Sequence, residues 1–123
     1  MSNVEQWWSQ ALAELKTARQ LKKDFIYYAA CFHAHQAAEL GLKALYIKKY
    51  SKPYVGHDIV YLAKNLGAEQ RIINYTKQIA GAYVETRYPD MAPTSPSEYY
   101  TEDDAKEYIE AAEEVIEWIE NNS

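Results

Sequence analysis

Cysteine, glycine and proline are all scarce in this chain of 123 residues. The one cysteine, Cys31, rules out a disulfide within the chain. It lies in an apolar run, where a thiol is more often an inert core group than a nucleophile. The four glycines are scattered, so a glycine-rich loop of the kind that cradles phosphate is absent. The sequence therefore gives no support for a disulfide scaffold, a thiol enzyme or a P-loop site.

Long uncharged segments are also missing. The longest one, residues 25–38, contains two histidines and is shorter than the roughly 20 residues that a membrane-spanning helix needs. Residues 1–5 lack the basic region and apolar core of a secretory signal. We therefore expect a cytoplasmic protein with no membrane association. Residues 1–123 have a common size for one domain, and we expect a single one.

Acidic residues exceed basic ones, but the two halves of the chain differ. Residues 1–64 contain nine Lys/Arg and five Asp/Glu (+4), whereas residues 65–123 contain four and thirteen (−9), which gives the net charge of −5. A basic field over the whole molecule, as for nucleic-acid binding, is excluded, but a local basic face on the first half is not. The alternative is a pair of oppositely charged faces that suit each other in a bundle or dimer.

Apolar residues recur at helical spacing, and no strand-like alternation is present. Ser2 with Glu5 forms a capping-box pattern before the first helix, and Thr101 with Asp104 caps the last one. The first helix has a predicted buried stripe of Trp8, Ala11, Leu12, Leu15, Ala18 and Leu21. The last helix has a predicted stripe of Ala105, Tyr108, Ile109, Ala112, Ile116 and Ile119. The pattern predicts an all-α, up-and-down antiparallel bundle of four to five helices.

The second helix is predicted to be the long central helix of this bundle. It is capped by Asp24, runs to about Tyr50 and is apolar nearly all round, so several neighbours should cover it. Gly41 inside it costs about 1 kcal/mol relative to alanine. We expect a closely packed neighbour, either another helix or a second subunit, to offset that cost.

The remaining segments are shorter. A break at residues 51–56 precedes a short helix over about residues 58–66, and Gly67 separates it from another over about residues 69–85. Three prolines then make residues 88–100 a loop that is long for a compact bundle.

Three ionisable residues, His35, Glu39 and Lys43, lie in the middle of the most apolar helix, where unpaired charge is expensive. Their spacing of four places them on one face, so Glu39 can pair with either neighbour. They form either a satisfied polar seam at a packing interface or a seam that faces a ligand. His33 and His35 point in different directions on a helix, and His35 with Glu39 supplies too few ligands, so we predict no metal site and no cofactor.

Two further segments carry candidate residues. His57 and Asp58 open a helix, where an aspartate readily serves as a cap. Arg87 offers a planar fork of donors suited to phosphate, and the adjacent Tyr88 can stack on a base. Asp90 can instead pair with Arg87 and fix the loop.

Four segments together resemble the HEPN domain (higher eukaryotes and prokaryotes nucleotide-binding). They are His-Gln-Ala-Ala-Glu-Leu-Gly-Leu-Lys-Ala-Leu at residues 35–45, Gly-His-Asp-Ile-Val-Tyr-Leu at 56–62, Arg-Tyr-Pro-Asp at 87–90 and Tyr-Thr-Glu-Asp-Asp-Ala at 100–105. The resemblance covers nearly the whole chain, in order and at compatible spacing. It implies a helical bundle that is usually dimeric and is often encoded beside a minimal nucleotidyltransferase as a toxin–antitoxin pair.

Many members of that family are metal-independent ribonucleases with a site shared across the dimer. The resemblance implies an arginine followed about four to six residues later by a histidine, which handles the 2′-hydroxyl proton or the leaving group. Arg87 matches the arginine, but Ala92 and Pro93 stand where the histidine is expected, and no histidine follows His57. The incomplete motif favours a protein that is not an enzyme.

The leading interpretation is a dimeric HEPN-like module that binds a nucleotide, RNA or a minimal nucleotidyltransferase. The candidate binding residues are Arg87, Tyr88, Asp90, His35, Glu39, Lys43 and His57. Two alternatives stay open. One is an endoribonuclease that uses a displaced histidine, and the other is a protein-interaction adaptor whose twelve tyrosines form protein contacts.

Overall fold

A computed structural model of the protein describes residues 4–82, 90 and 94–123. In these residues the secondary structure is helical and contains no strand. The six helices in this part of the chain are α1 (Val4–Lys23), α2 (Tyr27–Tyr50), α3 (Ile59–Asn65), α4 (Gln70–Ile79), α5 (Pro96–Tyr99) and α6 (Glu102–Asn121). The predicted all-α bundle is confirmed.

Helix α2 is the centre of the bundle. It packs between α1 and α6 and also contacts α3, α4 and α5. Its buried stretch runs from Ala30 to Leu45 and is rich in alanine. Alanines on α1 and α6 face it with no exposed surface, which lets the helices approach closely. The prediction of a largely buried central helix is confirmed for this stretch.

Gly41 lies on the side of α2 that packs against α6. A Cβ added there would stand 2.9 Å from Ile116 Cδ1 and 3.0 Å from Ile119 Cδ1. The closely packed neighbour expected from the sequence is therefore another helix of the same chain.

The start of α2 differs from the prediction. Asp24 does not cap the helix, because its N–H continues the hydrogen bonding of α1 and Phe25 then adopts a left-handed backbone with φ 64°. Ile26 is the residue before the first turn and makes no side-chain cap, so α2 begins at Tyr27. This end is not buried: Phe25 is 77% and Tyr28 37% exposed.

Local signals elsewhere set the helix boundaries as expected. Thr101 and Asp104 form a reciprocal capping box, with the Asp104 N–H donating to Thr101 Oγ1 at 3.2 Å. Asp58 caps α3 by accepting from the Tyr61 N–H at 3.0 Å. Gly67, with φ 80°, separates α3 from α4.

Two more expectations need correction, and two cannot be compared. Leu12 is 40% exposed because it lies in an open groove between α1 and α6, so it is not part of the buried stripe. The predicted loop at residues 88–100 contains α5, which begins with the buried Pro96 at its first position, where the fixed φ of proline suits a helix. Ser2 and the predicted helix end at Glu85 lie outside the described residues.

The acidic α6 is tied to its basic neighbours. Arg19 of α1 contacts Glu113 at 2.6 Å, and Arg71, in the first turn of α4, contacts Glu114 at 2.6 Å. These pairs are exposed, so each contributes at most about 1 kcal/mol. Some of the acidic residues in the second half of the chain thus form ion pairs between helices of the bundle. Among the described helices, none combines the length and apolarity needed to cross a membrane.

Candidate functional site

Glu39 is the centre of a polar cluster inside the apolar part of α2. One carboxylate oxygen, Oε2, accepts from Lys43 Nζ at 2.8 Å and from His57 Nδ1 at 2.7 Å. The other oxygen, Oε1, lies 3.7 Å from His35 Nδ1. The spacing of four places the α2 residues on one face, while His57 reaches the cluster from the segment before α3. The structure thus brings together four of the predicted site residues.

The turn before α3 directs His57 toward α2. Gly56 has φ 131°, and a Cβ there would stand 3.3 Å from the Tyr54 ring, so this position requires glycine. Asp58 is occupied as the cap of α3, as the sequence predicts. His57 does not take part in that cap and instead bonds to Glu39 of α2. Its side chain is 51% exposed and that of Glu39 3%, so the cluster extends from the core to the surface.

Lys43 is enclosed between two helices. Its side chain is 8% exposed, and its Nζ lies 5.7 Å from the centroid of the Trp7 ring of α1. The ammonium is thus held by the Glu39 carboxylate on one side and an aromatic face on the other. We conclude that Lys43 neutralises Glu39 and is too enclosed to contact a phosphate group directly.

The two histidines of the cluster differ in environment. Burial lowers the pKa of His35, and the nearby Glu39 carboxylate opposes this only in part. His35 is therefore neutral at neutral pH. For His57, a hydrogen bond donated from Nδ1 to Glu39 selects the tautomer whose lone pair is on Nε2. Such an imidazole has a fixed orientation and can accept a proton or a hydrogen bond at Nε2.

The remaining candidates do not join this cluster within the described part of the chain. Arg87 and Tyr88 lie outside the described residues, as do Ala92 and Pro93, and Asp90 is exposed. No group of three or more His, Cys, Asp or Glu side chains in the described residues could hold a metal ion.

His33 and Cys31 have other surroundings. His33 Nδ1 bonds the Glu14 carboxylate of α1, so His33 and His35 face different directions, as the spacing predicts. Burial, and secondarily the Asp104 carboxylate, raises the pKa of the Cys31 thiol. Cys31 is therefore protonated at neutral pH and is not a nucleophile.

Sequence reasoning missed three contacts: His57 with Glu39, Lys43 with Trp7, and His33 with Glu14. Each joins residues far apart in the chain, so helical spacing carries no signal of them. The one usable signal was that Glu39 needs partners inside an apolar helix.

An apolar cleft of about 150 Å³ lies apart from the cluster. It is formed by α1, α2 and the end of α6, and its lining includes none of the predicted site residues. Small-molecule sites usually measure about 300–1,000 Å³. The cleft is therefore too small to be the main binding site for a nucleotide.

Comparison with known proteins gives the family. The chain is similar to TT1696 from Thermus thermophilus, with 29% identity, a TM-score of 0.94 and complete coverage of both chains. It is also similar to ST0689, an archaeal HEPN homologue, with 33% identity, a TM-score of 0.85 and coverage of 99% of this chain and 98% of that one. No functionally curated protein matches it significantly. The HEPN domain matches residues 4–122, and the chain therefore belongs to the HEPN domain family.

Proposed function

We propose that this protein is a dimeric HEPN module that binds a nucleotide or RNA, with His57 as a direct contact. One observation carries the proposal: a half-exposed imidazole is bonded at 2.7 Å to a buried carboxylate. A side chain held in this way has little conformational entropy to lose when a ligand binds. The arrangement favours recognition of a polar ligand at the exposed ring edge of His57.

The charges around His57 are compatible with a phosphate group. A lone Glu39 carboxylate would repel phosphate, but Lys43 lies 2.8 Å from it and cancels its charge. In this proposal Glu39 and Lys43 are positioning residues, and neutral His35 fills the buried end of the cluster. The Arg87 fork, with Tyr88 and Asp90, is proposed from the sequence as a second contact to the same ligand.

Calorimetric titration with ATP and with a short single-stranded RNA tests the proposal. Replacement of His57 by Ala is expected to weaken binding of at least one of these ligands by about two- to tenfold, as for loss of a neutral hydrogen bond that a ribose hydroxyl or a base N–H donates to Nε2. His33→Ala is the matched control, because His33 also pairs with a carboxylate but on the α1 side. Absence of binding by the unmodified protein, or equal losses in both variants, would refute the role of His57.

A nucleotidyltransferase partner is proposed from family membership. The HEPN module and a minimal nucleotidyltransferase would then form a toxin–antitoxin pair. Co-expression with a nucleotidyltransferase encoded beside this chain should give a complex that survives gel filtration. Light scattering of the isolated chain measures its oligomeric state, and a monomer at micromolar concentration would contradict the dimer.

A second candidate function is endoribonuclease activity with His57 as the displaced histidine. The observation that favours it is the orientation of His57, whose Nε2 lone pair is suited to accept a 2′-hydroxyl proton. RNA cleavage in EDTA that disappears in His57→Ala but persists in His33→Ala would support it. If the RNA is not cleaved, the non-catalytic binding function is favoured. Failure to bind any RNA or nucleotide would favour the adaptor alternative.

A further inference from the structure

Four tyrosine rings form a continuous chain next to His57. Tyr46 and Tyr50 of α2 have ring centroids 4.6 Å apart, and Tyr46 lies 5.4 Å from Tyr54. Tyr54 in turn is 6.0 Å from Tyr61 of α3, with 25° between the ring planes. We call Tyr46, Tyr50, Tyr54 and Tyr61 the tyrosine surface. It joins the end of α2 to α3 across the segment that contains His57.

The inner rings of the tyrosine surface are anchored and the outer rings are exposed. Tyr46 and Tyr54 are partly buried and pack against the main core. Tyr50 is 38% and Tyr61 51% exposed, and the neighbouring Val55 is 91% exposed. The outer rings are therefore attached to the core through the inner ones, and part of each outer ring is accessible to solvent. Exposed aromatic groups clustered in this way are typical of binding surfaces.

The chain segment that carries the tyrosine surface is basic. Residues 46–64 contain four lysines and one acid, Asp58, a net charge of +3 in a chain whose net charge is −5. The lysines are Lys48, Lys49, Lys52 and Lys64, all exposed and none in an ion pair with another described residue. The Nζ of Lys49 lies 5.2 Å from the centroid of the Tyr50 ring. Lys49 therefore lies against the tyrosine surface, within a segment that is basic in an acidic chain.

We propose that the tyrosine surface binds single-stranded RNA, with bases stacked on Tyr50 and Tyr61 and phosphates beside Lys49 and Lys52. Aromatic platforms flanked by cations bind single strands because every base has a stacking face. Duplexes bury those faces, so they would bind more weakly. Protein interfaces are depleted in lysine, which makes a protein partner a poorer fit. The inference rests on the proposed function and deepens it, because His57 lies between Tyr54 and Tyr61 in the chain.

Fluorescence anisotropy with a labelled oligouridine of about ten nucleotides tests the inference. Tyr50→Ala and Tyr61→Ala are each expected to weaken binding by about 5-fold to 150-fold, the range for loss of one stacked base. Tyr61→Phe keeps the ring and should bind nearly as well as the unmodified protein. Lys52→Gln should reduce the dependence of log Kd on log salt by about 0.7, the value for one phosphate contact on a single strand.

Tyr28→Ala is the matched control. Tyr28 is a tyrosine of similar exposure, 37%, on the same helix. It lies about 33 Å from Tyr50 at 1.5 Å per residue. Its replacement should leave the anisotropy curve unchanged, because the inference gives it no contact with RNA.

Three results would overturn the inference. One is absence of oligouridine binding at about 50 mM salt, where phosphate contacts are strong. Another is unchanged binding in both Tyr50→Ala and Tyr61→Ala. The third is dissociation of a dimer in those variants with RNA binding intact, which would make the tyrosine surface a subunit interface.

Loss of binding in His57→Ala alone would refute this inference but keep the proposed function. Loss in the tyrosine variants alone would refute the role of His57.

Discussion

Breaking the ion pair between Glu39 and Lys43 is expected to destabilise the protein strongly. The two side chains are 3% and 8% exposed, and Lys43 Nζ lies 2.8 Å from Glu39 Oε2. At an effective dielectric constant of about 20, unit charges at that distance attract by about 6 kcal/mol, most of which offsets their desolvation. Removing one partner leaves the other charge buried without that attraction. The expected loss is about 3–5 kcal/mol for each of Glu39→Gln and Lys43→Met.

The double variant separates the ion pair from the rest of the site. With both charges absent, the loss should be smaller than the sum of the single losses by about 2–3 kcal/mol. His57→Ala serves as a control for the second bond to Glu39, and because His57 is half exposed its loss should cost no more than about 1 kcal/mol. Urea unfolding followed by tryptophan fluorescence measures all four variants. One protein concentration must be used throughout, because any self-association would shift the apparent stability.

Additive effects of the two single substitutions would refute this reasoning. They would mean that, in the single variants, water stabilises the remaining charge as well as its ion-pair partner does in the unmodified protein. Losses below about 1 kcal/mol for both single variants would have the same meaning, since that is the range of an exposed pair.

Three further predictions concern the interior of the bundle. Gly41→Ala should lower the free energy of unfolding by about 1–2 kcal/mol, because the overlap with Ile116 and Ile119, both nearly fully buried, outweighs the gain in helix propensity. Adding Ile116→Val should restore part of that loss in the same urea assay, and a more stable Gly41→Ala would contradict the packing argument. Cys31 should react with a thiol reagent only after denaturant is added, because burial raises its pKa, and rapid labelling of the native protein would disprove this. Since burial lowers the pKa of His35, the unfolded chain binds a proton that the folded one does not. The free energy of unfolding should therefore receive the full contribution of neutral His35 above about pH 6.5. Below that pH it should fall by at most about 1.4 kcal/mol per pH unit. The urea midpoints at acidic and neutral pH measure this, and an equally steep fall in His35→Gln would show that another group is responsible.

The sequence predicted those parts of the fold that depend on local signals. The box of Thr101 with Asp104, the cap at Asp58 and the stop at Gly67 involve residues a few positions apart, and all three were confirmed. The apolar character of α2 on nearly every side likewise predicted its central position. In contrast, the start of α2 was misplaced by two residues, since the residue before its first turn is Ile26 and not Asp24. Asp24 is a good cap in general, but here Phe25 takes a left-handed backbone that no local pattern indicates.

The candidate site was predicted in outline and not in its contacts. The cost of burying a charge indicated that Glu39 needs a partner, and helical spacing offered Lys43 and His35. The second hydrogen bond comes from His57, whose position depends on how the turn before α3 packs on α2. Trp7 joins from α1 for the same reason. Long-range packing of this kind leaves no periodic pattern in a single sequence.

The location of Glu39 in the most buried stretch of α2 would link the proposed ligand recognition to folding. A chain that opens around this helix would lose the proposed site in the same event, so a partly folded population would not bind. Conversely, any ligand that bonds to His57 would reinforce the helix on which the whole bundle is built, and the thermal midpoint should rise with ligand concentration.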